Sequence, residues 1–169
     1  NITAEAVGLA ASGAGTLIGS GRTMTDWAQR HLGHPGDFVD HSGLGSASRV
    51  TAAGMVRALI AGRASRSGAA LPGILREVGM RDDQGKAVKG HPVSVLAKTG
   101  TLNFVSGLAG FIRPPAGREL AFAIFSADPV RRAALPMEDR ESPPGGEAWL
   151  KRARRLQGQL ISRWAESFV

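Results

Sequence analysis

The sequence contains no cysteine, no tyrosine and no long apolar run, and these absences exclude several classes of protein. Without cysteine there is no disulfide framework, no thiolate nucleophile and no cysteine-ligated metal site. No apolar stretch reaches the roughly 18 residues that a membrane-spanning helix needs, so we expect no membrane span. No stretch reads as a signal peptide either. The lack of cysteine is compatible with both a reducing and an oxidising compartment.

Composition and charge bound the function classes further. The 169 residues, 43% of them hydrophobic, fit one domain of ordinary size with a real core. A net charge of +7 raises nucleic-acid binding as a possibility. The basic residues are scattered, however, and only six Phe and three Trp are present to stack on bases, so we expect no nucleic-acid partner. His31 and His34 lack a third ligand at suitable spacing, and we predict no metal and no cofactor.

The most informative stretch, Val93 to Thr101, predicts a buried strand that ends in a polar cluster. Its first part has the period of two that is typical of a strand: Val93, Val95 and Ala97 alternate with Ser94, Leu96 and Lys98. In an extended chain Lys98 and Gly100 face one side, and Thr99 and Thr101 face the other. A cation and hydroxyls beside unobstructed backbone suit an anionic, extended ligand that pairs along the edge. The alternative is an ordinary strand end leading into a glycine turn.

The remaining patterns predict helices before this strand and an antiparallel meander after it. We predict helices over residues 2–12, from a cap at Thr23 to about Leu32, from a cap at Thr51 to about Gly62, and over 147–168. Strands are predicted over 92–101, 107–112 and 119–126. The last helix has an apolar stripe of Leu150, Ala153, Leu156, Leu160, Ile161 and Trp164, which we expect to cover the meander rather than a membrane. The fold class is therefore α+β, an antiparallel sheet flanked by helices.

Asp40, His41 and Ser42 are adjacent in the sequence and invite comparison with a catalytic triad. The members of a triad come from separate parts of a fold, which argues against that function here. We predict instead a tight polar turn that follows a short strand.

Three stretches together carry a family resemblance. They are Ala97–Leu102 with Val105–Ile112, Asp40–Leu44 with Arg49–Thr51, and Asn1–Glu5. They resemble the D-alanyl-D-alanine carboxypeptidase/endopeptidase family of class C low-molecular-mass penicillin-binding proteins, serine peptidase family S13. The second stretch has His41 where the family usually has Gly. The third looks like the continuation of the family's Ser-x-Asn motif, with Asn1 as its Asn.

The resemblance implies a fold and a set of site residues. Residues 1–169 would be the C-terminal part of a single β-lactamase/transpeptidase-like domain. Lys98 and Asn1 would be catalytic: Lys98 supplies positive potential, and Asn1 contacts the substrate amide. Thr99, Gly100 and Thr101 would bind substrate, with the two threonines on its terminal carboxylate and the Thr101 N–H as one oxyanion donor. Ser42 would lie near the site in a supporting turn.

The resemblance also implies substrate, partners and location. A serine would attack the peptide bond between two D-alanines of a peptidoglycan stem peptide, and water would hydrolyse the acyl-enzyme. β-Lactam antibiotics would acylate the same serine, and the protein would work in the periplasm or cell envelope. The balance between carboxypeptidase and endopeptidase activity and the oligomeric state stay open.

The main departure from the family is the missing nucleophile motif. No serine in this sequence has a lysine three positions later, so we expect the Ser-x-x-Lys segment to lie outside this chain. The first residue, Asn1 rather than Met, also indicates a processed product or a fragment. The alternative function is a non-catalytic peptidoglycan-binding or scaffold module that lacks the nucleophile.

Overall fold

The structure, a computed structural model, describes residues 2–33, 35–82, 84, 86–136, 139 and 142–168, which form two compact units, Asn1–Ala69 and Ala70–Val169. The first unit contains α1 (Ile2–Ser12), α2 (Leu17–Leu32), β1 (Gly36–Asp37), β2 (Arg49–Val50) and α3 (Ala52–Ala64). The second contains a 3₁₀ turn (Leu71–Ile74), β3 (Arg76–Glu77), β4 (Ser94–Leu102), β5 (Val105–Arg113), β6 (Leu120–Ala127), α4 (Pro129–Ala133) and α5 (Gly146–Ser167). The α+β class predicted from the sequence is confirmed.

Helix α2 begins earlier than the sequence pattern predicts. The prediction placed its start at Thr23, but the helix begins at Leu17, and the Thr16 side chain caps it by accepting a hydrogen bond from the Gly19 N–H at 3.1 Å. Glycine is a poor helix former, which is why this segment reads as a loop. Tertiary packing overrides that propensity: a Cβ at Gly21 would lie 2.6 Å from the backbone of Val39. The segment is helical because its glycine lets two stretches of backbone meet.

Helix α3 shows the same close packing in the first unit. Its predicted cap is confirmed, because the Thr51 hydroxyl accepts a hydrogen bond from the Gly54 N–H at 3.0 Å. Gly54 is buried, and a Cβ there would collide with the backbone of Pro35. β1 and β2 pair antiparallel beside these helices.

The second unit is built on a four-stranded antiparallel sheet in the order β3-β4-β5-β6. The three long strands lie within two residues of the predicted bounds, so the predicted meander is confirmed. Asn103 and Phe104 form the tight turn between β4 and β5. These two strands pair without interruption from Leu102↔Val105 to Ser94↔Arg113. Strand β3 and helix α4 were not predicted: β3 is two residues long, and α4 is a single short helix within a proline-containing segment.

Helix α5 covers one face of this sheet and completes its hydrophobic core. The core consists of Met80, Val93, Val95, Ala97, Leu108, Ile112, Phe122, Ile124, Ile161 and Ala165. Residues opposite each other in an antiparallel pair share a face, so the alternating positions of the three long strands meet the helix together. The polar, charged composition of residues 80–90 predicts an exposed loop, and the structure corrects this prediction at Met80, which belongs to the core.

The buried stripe of α5 differs from the predicted one at one turn. Leu156 was expected in the apolar stripe, but 47% of it is exposed, and Gln157 takes the buried position with 5% exposure. Ala153, Ile161 and Ala165 are also buried along this helix, and the last two belong to the core against the sheet. Over the described residues, no helix has both the length and the apolar character to cross a membrane.

Candidate active site

The predicted polar cluster lies at the end of β4, where the buried alternation of the strand stops. Val95 and Ala97 are almost fully buried, whereas Lys98, Thr99, Gly100 and Thr101 are all exposed. β5 continues to pair with this segment along its whole length. The four residues are therefore held in an extended conformation by one neighbour while their side chains stay accessible.

The other edge of β4 is open beside these residues. β3 pairs with β4 only at Ala97 and Leu96, and the Val78 N–H donates to the Val95 carbonyl at 2.8 Å. Backbone groups alternate in direction along a strand, so those of Thr99 and Thr101 point to the same edge as those of Val95. Within the described ranges, no strand pairs with the edge beyond Ala97. That edge presents backbone donors and acceptors that no described strand pairs, and an extended ligand can bind to them.

The Lys98 ammonium lies at this open edge. Its Nζ donates a hydrogen bond to the carbonyl of Thr99, a group that points away from β5. Next to it, a Cβ at Gly100 would meet no atom within 4 Å, so the backbone there is unobstructed. A positive charge beside free strand backbone favours an anionic peptide end or a similar ligand.

Thr99 and Thr101 lie on the face of the sheet that α5 covers farther along β4. They stand opposite Leu108 and Ser106 in the β4–β5 register. Both threonines are exposed, whereas Leu108 and Ser106 are buried. The two hydroxyls therefore stand at the border between the core and solvent.

In the first unit, residues 40–45 form the predicted polar turn around the Asp40 carboxylate. The Ser42 hydroxyl donates to Asp40 Oδ2 at 2.7 Å, and the N–H groups of Gly45 and Gly43 donate at 2.7 and 3.2 Å. Burial by itself would raise the pKa of Asp40, but the hydrogen bonds from Ser42, Gly45, Gly43 and Leu44 together hold that pKa below its ordinary value. Ser42 Oγ also accepts the Leu44 N–H at 3.1 Å, which fixes its hydroxyl within the turn.

One face of α1 anchors this turn. The Glu5 carboxylate accepts the N–H groups of His41 and Ser42 at 3.2 and 3.0 Å. The His41 ring lies against Gly8, where any Cβ would overlap it, and its Nε2 is 2.6 Å from the hydroxyl of buried Ser20. His41, the departure from the family pattern, thus fills a slot that a glycine on α1 leaves open.

Sequence reasoning missed Glu5, Gly8 and Ser20 as supports of the turn. Glu5 and Gly8 are three residues apart and therefore lie on one side of α1, a spacing that could have indicated a shared contact. Nothing local indicated that the contact would be the turn at residues 40–45, because more than 30 residues separate the partners in the sequence.

The predicted site residues fall into three groups. Lys98, Thr99, Gly100 and Thr101 lie together on β4, and Ser42 lies in the turn of the first unit. Asn1, like His34, is outside the residues that the structure describes. Over the described ranges, no group of three His, Asp or Glu residues could hold a metal ion.

Comparison with known families identifies the class of protein. Residues 1–142 match the model of the D-Ala-D-Ala carboxypeptidase 3 (S13) family. The match covers most of the chain and includes β4 with Lys98, the β4–β5 pair and the turn at Asp40. The chain therefore belongs to this peptidase family.

A solved structure shows the same fold. The Bd0816 predatory endopeptidase of Bdellovibrio bacteriovorus, determined in complex with the immunity protein Bd3460, superposes with a TM-score of 0.51 at 20% sequence identity. The superposition covers 87% of this chain but 39% of that protein, so this chain spans well under half of its structural relative. A search of curated proteins found no match.

Proposed function

We propose that this chain supplies the Lys-Thr-Gly wall of the active site of a serine D-Ala-D-Ala carboxypeptidase/endopeptidase that acts on peptidoglycan stem peptides. The observation that carries the proposal is the open edge of β4 at Thr99 and Thr101 with the Lys98 ammonium beside it. A peptide that ends in a carboxylate has both features that this edge complements, namely extended backbone and a terminal negative charge. The family membership supplies the reaction class.

In this mechanism the end of the stem peptide aligns along β4 as an added strand. The terminal carboxylate accepts hydrogen bonds from the hydroxyls of Thr99 and Thr101, and Lys98 provides positive potential. Gly100 leaves room for the peptide backbone, and the Thr101 N–H donates to the oxygen that becomes negatively charged during attack. Preorganised donors of this kind lower the barrier because they need no reorientation as charge develops.

The nucleophile comes from a Ser-x-x-Lys segment outside this chain. Its serine Oγ bonds to the carbonyl carbon of the penultimate D-alanine, the peptide C–N bond breaks, and the terminal D-alanine leaves as an amine that takes up the serine's proton. Water then hydrolyses the acyl ester and regenerates the serine. Asn1 contacts the substrate amide, and the turn of Ser42 supports the site. β-Lactams acylate the same serine, and the protein works in the periplasm or cell envelope, where peptidoglycan lies.

The substitution Lys98→Ala in the complete protein tests this proposal. We expect the rate of acylation by labelled penicillin to fall about 10- to 100-fold, since a charge-assisted contact contributes roughly 1.5–3 kcal/mol. Lys151→Ala, which removes an exposed lysine from α5, is the matched control and should leave the rate unchanged. A Lys98→Ala rate within twofold of the wild type would count against Lys98 as a site residue.

A second candidate is a non-catalytic module that recognises peptidoglycan stems. It is favoured by one observation, the absence from this sequence of any serine with a lysine three positions later. The complete native protein distinguishes the two candidates. A stoichiometric penicillin adduct on a serine outside residues 1–169 would support the peptidase, whereas stem-peptide binding without an adduct would support the module.

A further inference from the structure

Gln157 is a buried polar side chain on the otherwise apolar face of α5. It is 5% exposed, and its neighbours on that face are Ala153, Ile161 and Ala165. Burying an amide costs free energy unless its hydrogen bonds are made inside the protein. A leucine here would fill a similar volume without that cost, so the glutamine calls for a reason other than packing.

The amide reaches the strand that neighbours the proposed site. Gln157 Nε2 donates to Ser106 Oγ at 3.0 Å and approaches the Ser106 carbonyl at 3.5 Å. Ser106 is 3% exposed, so this hydrogen bond is shielded from water. A shielded hydrogen bond holds its partners in a narrower range of orientations than an exposed one.

Ser106 in turn faces a proposed substrate-binding residue. It stands directly opposite Thr101 in the β4–β5 register, so the two side chains share one face of the sheet. Cβ atoms of such a pair are about 5 Å apart, and cross-strand Ser/Thr hydroxyls interact at this separation. Gln157, Ser106 and Thr101 therefore form a series that runs from the buried helix face to the exposed end of β4.

We propose that Gln157 is a positioning residue that acts through Ser106 on the hydroxyl of Thr101. An N–H donated to Ser106 Oγ occupies one of its lone pairs and restricts where its hydroxyl hydrogen can point. Ser106 then presents a defined partner to Thr101, whose hydroxyl stays directed at the carboxylate of the ligand. This inference rests on the proposed function, because Thr101 binds that carboxylate only in a D-Ala-D-Ala peptidase.

The test compares two ligands in the complete protein. Gln157→Leu should lower the denaturation midpoint because it leaves the buried Ser106 hydroxyl without this partner, whereas the double variant Gln157→Leu/Ser106→Ala, which replaces both partners by apolar groups, should stay close to the wild-type midpoint. Acylation by penicillin should slow about five- to tenfold, whereas acylation by its methyl ester, which lacks the carboxylate, should stay within twofold of the wild-type rate with that ester. Ser106→Ala should reproduce this pattern, and the double variant should lose no more than either single variant.

A conservative substitution elsewhere on α5 controls for general effects of changing this helix. Leu160→Met, a change beside the same core, should alter neither ligand's rate. Equal slowing with both ligands, or no slowing with penicillin, would overturn the positioning function while leaving the proposed peptidase intact. If Gln157→Leu does not fold, Ser106→Ala carries the same two-ligand comparison. No acylation of the wild type by penicillin would overturn the proposed function and this inference with it.

Discussion

The two units of this chain are stabilised in different ways. Among the described residues of the first unit, Ala28 is buried, but the large hydrophobic side chains are not. Close contacts at Gly8, Gly21 and Gly54 hold neighbouring segments of this unit together instead. The second unit instead buries a contiguous cluster of aliphatic and aromatic side chains between the sheet and α5. Burial of apolar area is non-directional, whereas glycine contacts and hydrogen bonds depend on exact fit. We therefore expect the two units to respond to different substitutions.

This difference applies to the two segments that carry predicted site residues. The Lys98 segment continues a strand whose preceding residues are anchored in the apolar core, so its geometry follows from the stability of the second unit. The Ser42 turn is held by individual hydrogen bonds to Asp40 and Glu5. Losing one such bond should disturb the turn, while the sheet should tolerate most single changes away from its core.

The largest expected effect on stability comes from creating a cavity in the core of the second unit. Ile112→Ala removes a side chain with no exposed surface and should destabilise the unit by about 2–5 kcal/mol. Amide hydrogen exchange on peptides from residues 70–169 measures this loss, while peptides from the first unit should change much less. Val130→Ala, at an exposed position, is the control. Equal acceleration of exchange in both units by Ile112→Ala would show that the two units are not stabilised separately.

A smaller effect is expected from adding one methyl group to α1. Gly8→Ala places a Cβ on the His41 ring and should destabilise the first unit by about 1–3 kcal/mol. In a His41→Gly background the ring is absent, so the same Gly8→Ala change should be nearly neutral. Gly15→Ala, which meets no atom within 4 Å, controls for the added methyl alone.

Hydrogen exchange on peptides from residues 1–69 gives the four free energies of this cycle. If Gly8→Ala costs as much without the His41 ring as with it, the contact between the ring and α1 is not what limits this position.

The smallest expected effect is a pH dependence of the first unit. The pKa of Asp40 is lowered from its ordinary 3.8 in the folded chain, so the unfolded chain binds a proton more readily. The stabilising contribution is therefore complete above the ordinary value and is lost as pH falls through the lowered one. Asp40→Asn should remove this component of the acid sensitivity, which appears as pH falls below the ordinary pKa of 3.8, as measured by the fluorescence of Trp27. An identical acid transition in the variant would show that Asp40 does not contribute.

Much of the second unit could be predicted from local pattern. Alternation over Val93–Ala97 and the short links of the meander identified three strands, because the side-chain period of a strand is a local property. The start of α2 could not be predicted, since its Gly21 packs against the backbone of Val39, a contact that the local sequence does not reveal. The burial of Gln157 rather than Leu156 on α5 was equally unpredictable, because Ser106, the partner of the Gln157 amide, lies 51 residues away in the sequence.

For the candidate site, the residues and their order can be read directly from the sequence: a cation, a hydroxyl, a glycine and a second hydroxyl at the end of a buried strand. Only the tertiary structure shows that, among the residues described, no strand pairs with the edge of β4 beside them. β3 begins only at Arg76, after a 3₁₀ turn, so its pairing reaches Ala97 and goes no farther. The local sequence determines which side chains a strand carries. The pairing of its backbone groups depends instead on where a distant segment begins.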